Sequence, residues 1–269
     1  MRLMLRTLSV ALILPLAGTV ACAAPDNSFV APTLSACDGA EAPEKLRVVT
    51  WNIRATLSSS LDEIGDVLAD LDADVIALQE VDRVTNRTGH VDQAGELANR
   101  LGMNHAYAAA RKEGDGDFGV ALLSRLPFSD ANPVELPGSN ALERRVALDA
   151  GLCLGDHTLR TVTVHADVFP WAGEENARFL ANHIEESSGD GVVVAGDLNA
   201  SPFDAAVDAF LDLGLKDVIQ NFQEGPTFAD RRIDYVLIDE PLDSTVVDGR
   251  VKDTDASDHR PLFVDLQTN

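Results

Sequence analysis

The chain has 269 residues and a formal charge of −23, from 21 basic and 44 acidic side chains. That balance argues against a general nucleic-acid surface, whose affinity comes largely from phosphate neutralisation by lysine and arginine. A local basic patch, or life in salty surroundings, stays compatible with it.

The first segment is basic at Met1–Arg6, apolar from Leu8 to Leu16 except for Ser9 and Pro15, and small from Ala17 to Ala24. This is the pattern of a secretory signal over residues 1–23. Two processing routes stay open. Ala21-Cys22-Ala23 fits a small-x-small cleavage site, whereas Thr19-Val20-Ala21-Cys22 is similar to a bacterial lipobox that would leave a lipid anchor on Cys22. The apolar stretch is too short for a stable transmembrane span. Export is therefore expected, whether secreted, periplasmic or lipid-anchored at the cell surface.

Residues 24–44, with Pro25, Asn27, Pro32, Gly39 and Pro43, read as a flexible tether to one α/β domain over 45–269. In an oxidising compartment Cys37 and Cys153 either pair or remain two unpaired thiols.

Leu46–Asn52 alternates as a strand. Leu61, Ile64, Leu68 and Leu71 recur at helical spacing, and Asp74–Glu80 is the next strand. Strand, helix, strand predicts a parallel crossover. A polar loop over 82–90, a helix over 92–101 stopped by Gly102, and a strand over 118–124 follow. Residues 127–143 hold three prolines and read as a surface loop. Residues 145–153 and 159–165 form a hairpin around Gly155-Asp156-His157, before a helix from about 174 to 187. Gly191–Gly196 is a strand buried on both faces, Ser201-Pro202 resembles a helix start, and 232–238 and 260–266 close the chain.

Several apolar runs end in polar groups: Asn52, Glu80, His165, Asp197-Leu198-Asn199, and Asp258-His259, while Asp234 interrupts another. Taken singly, each has an ordinary explanation as a turn former, a cap or a satisfied buried polar group. Taken together, carboxylates emerging from buried strands need partners. Asn52, Glu80 and Asp258 supply hard oxygen donors suited to Mg²⁺ rather than zinc. His259, with carboxylates Asp234 and Asp197, supplies what is needed to activate water near such an ion.

Seven fragments in order, from Val49-Thr50-Trp51-Asn52-Ile53 through Leu78-Gln79-Glu80, Leu122–Pro127, Val164-His165, Gly196–Asn199 and Arg232–Tyr235 to Ser257–Pro261, resemble the endonuclease/exonuclease/phosphatase superfamily. The resemblance covers roughly residues 46–266. It implies a deoxyribonuclease I-like two-sheet α/β sandwich with helices on the outer faces. It further implies Mg²⁺, with Mn²⁺ as a substitute, held by Asn52 and Glu80 with Asp258 completing the site. His259 would be a general base oriented by Asp234, and His165 a donor to a phosphate oxygen. Asp197 and Asn199 would position water and stabilise the pentavalent state. Arg145, preferred over Arg144, would bind phosphate. Tyr107 and Glu113 are available as helpers, and Arg125 and Arg178 read as structural.

Three functions compete. The first is an exported Mg²⁺-dependent phosphoesterase acting on a phospholipid head group, an inositol-type phosphate or another small phosphoester, as a monomer. The second is a secreted nuclease, for which Arg83, Arg87, Arg111, Lys112, Arg231 and Arg232 are thinly spread. The third is a catalytically silent binding scaffold. Phe169 and Trp171 offer an apolar contact for a substrate, although simple packing is the preferred reading.

Overall fold

The computed structural model describes residues 28–138, 144–187, 189–222, 225–239, 242 and 245–268. The expected signal segment and Cys22 lie outside the described residues.

In chain order the strands are β1 (Phe29–Val30), β2 (Lys45–Asn52), β3 (Val75–Arg83), β4 (Asn104–Glu113), β5 (Gly116–Ser124), β6 (Phe128–Leu136) and β7 (Arg145–Leu154). They continue as β8 (His157–His165), β9 (Gly191–Asp197), β10 (Lys216–Asp217), β11 (Asp234–Ile238), β12 (Val246–Val251) and β13 (Leu262–Gln267). The helices are α1 (Leu61–Leu71), α2 (Gln93–Leu101), α3 (Pro170–Glu185) and α4 (Ala205–Asp212). Two mixed sheets result, ordered β1-β4-β5-β3-β2-β13-β12 and β10-β11-β9-β8-β7-β6.

Side-chain alternation explains the layering. Val48, Val75 and Ala77 of the first sheet meet Leu148, Val193, Ala195 and Val236 of the second in one core between the sheets. The alternate residues Val49, Trp51, Ile76 and Leu78 pack outward against Ile64 and Leu68 of α1 and Leu97 of α2. Val162, Val164, Val194 and Leu237 do the same beneath α3 and α4. Strands buried on both faces must be apolar at nearly every position, which is why 191–196 reads as an unbroken apolar run. Each such Val or Leu contributes roughly 1.5–3 kcal/mol by leaving water.

Helix ends follow local chemistry. Ser60 and Glu63 form a reciprocal capping box on α1, and Asp92 caps α2. The fourth helix begins at Ala205 after Asp204 rather than at Ser201-Pro202, because Asp204 folds back to accept from the Ser201 backbone. The third begins at Pro170, earlier than the acidic residues suggest, with proline at its first turn.

Two expectations need correcting. Within 127–143, residues 128–136 form an edge strand, with Pro133 tolerated because an edge strand has backbone donors to spare. The residues from 28 to 44 are a strap rather than a tether. β1 pairs with β4, Ala109 N donates to Ser28 O at 2.7 Å, Leu34 bridges Phe128 in the other sheet, and Cys37 is bonded to Cys153. The strap joins both sheets at the end of the sandwich remote from His165, since Cys153 faces Thr158 while Ala147 faces Val164. Among the described residues, no helix is long and apolar enough to cross a membrane.

Candidate active site

Strand register alone aligns three of the predicted residues. His165 of β8 lies opposite Asp197 of β9, which lies opposite Asp234 of β11. Alternation turns the row inward: Ala195 and Val236 face the central core, so Asp197 and Asp234 two residues away share that direction. From the facing sheet Val48 points inward, and Asn52, four positions on, meets the row. Its Nδ2 donates to Asp197 Oδ2 at 3.1 Å and to Glu80 Oε1 at 3.0 Å.

Strict alternation would aim Glu80 away from Asn52, because Gln79 already points inward to Thr50. A register shift between Leu78 and Val81, with Glu80 at φ 54°, turns it back. This is a β-bulge re-aiming a side chain at a site. Gly196 is fixed by crowding, since a Cβ there would lie 2.0 Å from the Val164 carbonyl oxygen.

His259 reaches the row from the loop before β13. Its Nδ1 is 2.9 Å from Asp234 Oδ2 and its Nε2 is 3.8 Å from Asp197 Oδ2. Trp51 Nε1 donates to the His259 carbonyl, Phe228 stacks obliquely on the ring at 4.6 Å, and Thr227 Oγ1 accepts from Asp234 N. Burial opposes charging His259, yet the hydrogen bond and charge of Asp234, with Asp197 and Asp258 behind it, outweigh burial and push its pKa up to about 9. Burial, then repulsion from Asp234, raises Asp197 well above the usual carboxylate range.

His165 behaves oppositely. Burial, then Arg145, His259 and Arg111, hold it well below its ordinary value, so the ring is neutral. Arg145 Nη1 lies 3.1 Å from its ring nitrogens, whereas Arg144 is drawn outward to Glu135. Asn199, at φ 50°, donates its backbone N–H to Asp197 Oδ1 and its Nδ2 to the Ala166 carbonyl. It braces the turn after His165.

Asp258 stands slightly apart. Ser257 Oγ bonds the Asn52 carbonyl, but the Asp258 carboxylate meets Arg54 Nε at 3.3 Å rather than Asn52 or Glu80. Tyr107 is buried with its hydroxyl toward the Val81 carbonyl, and Glu113 pairs with Arg111 and Arg87. Arg125 and Arg178 make exposed ion pairs with Asp72 and Glu174. Arg54, Arg111 and Phe228 carry no motif that marks them in the sequence, because each is placed by tertiary contacts.

The donor set fits a hard divalent cation. Glu80 and Asp197 converge on one amide, and Asp234 Oδ1 is buried with no hydrogen-bond partner. Among the described residues, Asp197, Asp234 and His259 also bring ligand atoms within 4.8 Å of one another. That trio is already closed by the His259–Asp234 bond, so Asn52 and Glu80 are the better-suited oxygen pair, with Asp258 able to join them only by leaving Arg54.

A two-sheet α/β sandwich with a buried acid–histidine row at its strand ends defines a phosphoesterase class. The chain matches the model of the Endonuclease/Exonuclease/phosphatase family over residues 49–259, and it belongs to that family. Family membership makes phosphoester hydrolysis the coarse activity, and the family is one of divalent-metal-dependent enzymes.

Similar solved structures include an endonuclease/exonuclease/phosphatase from Beutenbergia cavernae, at 24% identity and TM-score 0.69 over 84% of this chain and 72% of that one. A humanized D. rerio TDP2 matches at 19% identity and TM-score 0.67, over 83% and 99% of the two chains. A Neisseria 3′ phosphatase, NExo, bound to a product DNA hairpin matches at 19% and 0.64, over 82% and 99%. At these identities the likeness concerns the fold. No curated protein matches the chain.

Proposed function

We propose that the protein is an exported, Mg²⁺-dependent hydrolase of small phosphoesters, either mono- or diesters. The observation that supports this most directly is the inward row His165, Asp197, Asp234 and His259 facing Asn52 and Glu80 across the sheets. A divalent ion held by Asn52 and Glu80 with Asp258 would supply charge neutralisation at the phosphoryl oxygens.

The protein's own groups divide the remaining work. Arg145 and neutral His165 bind non-bridging oxygens, with Arg145 donating to the ring and leaving the imidazole one N–H to offer. Water forms a new P–O bond as the ester P–O bond breaks in line, so positioning dominates. His259 was expected to be the base, but with its pKa at about 9 it is protonated at neutral pH. Asp197, whose raised pKa makes it the better acceptor, takes the proton from water, and the His259 imidazolium offsets the charge of the transition state. The leaving alkoxide takes its proton from solvent.

Against a nuclease, the cations beside the site are already paired. Arg83 meets Asp92, Arg87 meets Asp82, Arg111 meets Glu113, and Lys112 meets Asp117. Little unneutralised positive charge is left there for a polyanion. A ³¹P NMR time course with duplex DNA, phospholipids and small phosphomonoesters, with Mg²⁺ and then EDTA, tests the reading. Metal-dependent loss of a small-ester or lipid signal with DNA intact is expected. Scission of DNA alone would overturn it.

A further inference from the structure

A cavity of about 510 Å³ opens beside the catalytic row, between the first turn of α3 and the start of α4. Asn199, which braces the turn after His165, forms part of its wall, so the cavity and the reacting phosphorus would be neighbours. Leu198, Ala200 and Ala206 give an apolar lining, while Asp167, Glu174 and Asp204 contribute carboxylates.

Asp167 is the unusual member. It is 2% exposed; its Oδ1 accepts from Phe169 N, its N–H is taken by Asn176, and its Oδ2 is buried with no hydrogen-bond partner. A buried carboxylate oxygen left unbonded costs roughly 1–3 kcal/mol or more, and lying just behind the cavity wall its charge acts on whatever binds there through a poorly screening layer. The other carboxylates are engaged, Glu174 with Arg178 and Asp204 with the Ser201 backbone. Arg231, also on the wall, is drawn toward Ser201 Oγ at 3.4 Å.

One aromatic ring, that of Trp171, lines the cavity, with Phe169 and Phe203 flanking it in sequence. Packing was the preferred reading of this loop, but Trp171 is 64% exposed and stacks parallel to Phe169 at 6.4 Å. Phe203, next to Asp204, is 94% exposed. Aromatic faces with carboxylates are the recognition chemistry of ammonium groups, worth about 0.5–2 kcal/mol per ring. A nucleobase would also stack, but the unpartnered Asp167 carboxylate oxygen and the negative chain favour a cation.

We propose that this cavity binds a cationic nitrogen, a quaternary or primary ammonium, carried by the organic part of the phosphoester. The proposal rests on the phosphoesterase reading and specifies its substrate: phosphoesters of amino alcohols, whether a free ester or a lipid head group.

The chain has two tryptophans; Trp51 is fully buried and emits to the blue, so the red edge of the emission is that of exposed Trp171 and reports on the cavity. The full chain is titrated with phosphocholine and with 3,3-dimethylbutyl phosphate, its neutral isostere. Saturable quenching by phosphocholine, roughly ten-fold tighter than by the isostere, is expected. Asp167→Asn keeps an acceptor for Phe169 N and should abolish the preference. Equal binding of both ligands, or a preference that survives Asp167→Asn, overturns the inference.

Turnover of p-nitrophenyl phosphocholine, its neutral isostere and bis(p-nitrophenyl) phosphate separates the two claims. Hydrolysis without preference for the choline ester leaves the phosphoesterase and removes the cation site. Preferential binding without hydrolysis of any ester does the reverse. Phosphatidylcholine vesicles then distinguish a lipid source from a free ester. Vesicle binding indifferent to head group and to Asp167→Asn would instead make the aromatic rim a membrane contact and overturn the proposal.

Discussion

The two ends of the sandwich are built on opposite principles. At the end remote from His165, the strap and the Cys37–Cys153 bond join both sheets, and the neighbouring apolar groups are satisfied by packing. At the other end, titratable groups are buried together, Glu80 and Asn199 hold positive φ, and carboxylate oxygens of Asp234 and Asp167 lack partners. One end contributes stability and the other consumes it. Sites that store unfavourable charge and backbone strain require such support from the rest of the fold.

The sharpest way to break the comparison is at the acid–histidine row. His259→Ala or Asp197→Ala should lower turnover on the order of 10²–10⁴-fold with native near-UV circular dichroism, whereas near-full metal-dependent activity would refute their assignment. The remote end should respond in the other currency. Cys37→Ser should lose about 2–5 kcal/mol in urea unfolding while kcat stays within about two-fold.

The third test uses pH. A folded pKa of about 9 for His259, above its unfolded value, stabilises the fold fully below pH ~6.5 and is lost as pH rises through 9. The raised Asp197 acts in the same direction at lower pH, because the folded state again holds the extra proton. Unfolding of the EDTA-treated protein should therefore lose on the order of 3 kcal/mol between pH 6.5 and 9, and Asp234→Asn should flatten that slope. The smallest effect is expected at Arg54→Ala. Its partly exposed pair with Asp258 is worth at most about 1 kcal/mol, so a larger loss in thermal denaturation would mean that the left-handed run Arg54–Thr56 depends on that pair.

Much of this was legible in the sequence because doubly buried strands leave little choice of residue. Runs such as 191–196 could end in Asp197 only if something at the strand end wanted a carboxylate. Edge strands obey weaker rules. β6 carries Asp130, Asn132 and Glu135 on a half-exposed strand, so its single proline and polar residues resembled a loop. β4 is built largely of alanines, which signal neither strand nor helix strongly. The Glu80 bulge left no mark, since alternation predicts direction only while register holds. The charge state of His259 was also hidden, because it depends on how many carboxylates the fold gathers around one ring.

The strap has a further consequence, for direction rather than stability. Ser28 sits beside Ala109, which lies opposite Gly119, as does Val81 beside Glu80. The chain therefore enters the body at the level of the catalytic row and only then descends to the disulfide. A group attached at Ser28 and an incoming substrate would therefore share one level of the molecule. A fluorophore on Ser28 should sense substrate arrival, and one on Thr268, at the far end of β13, should not.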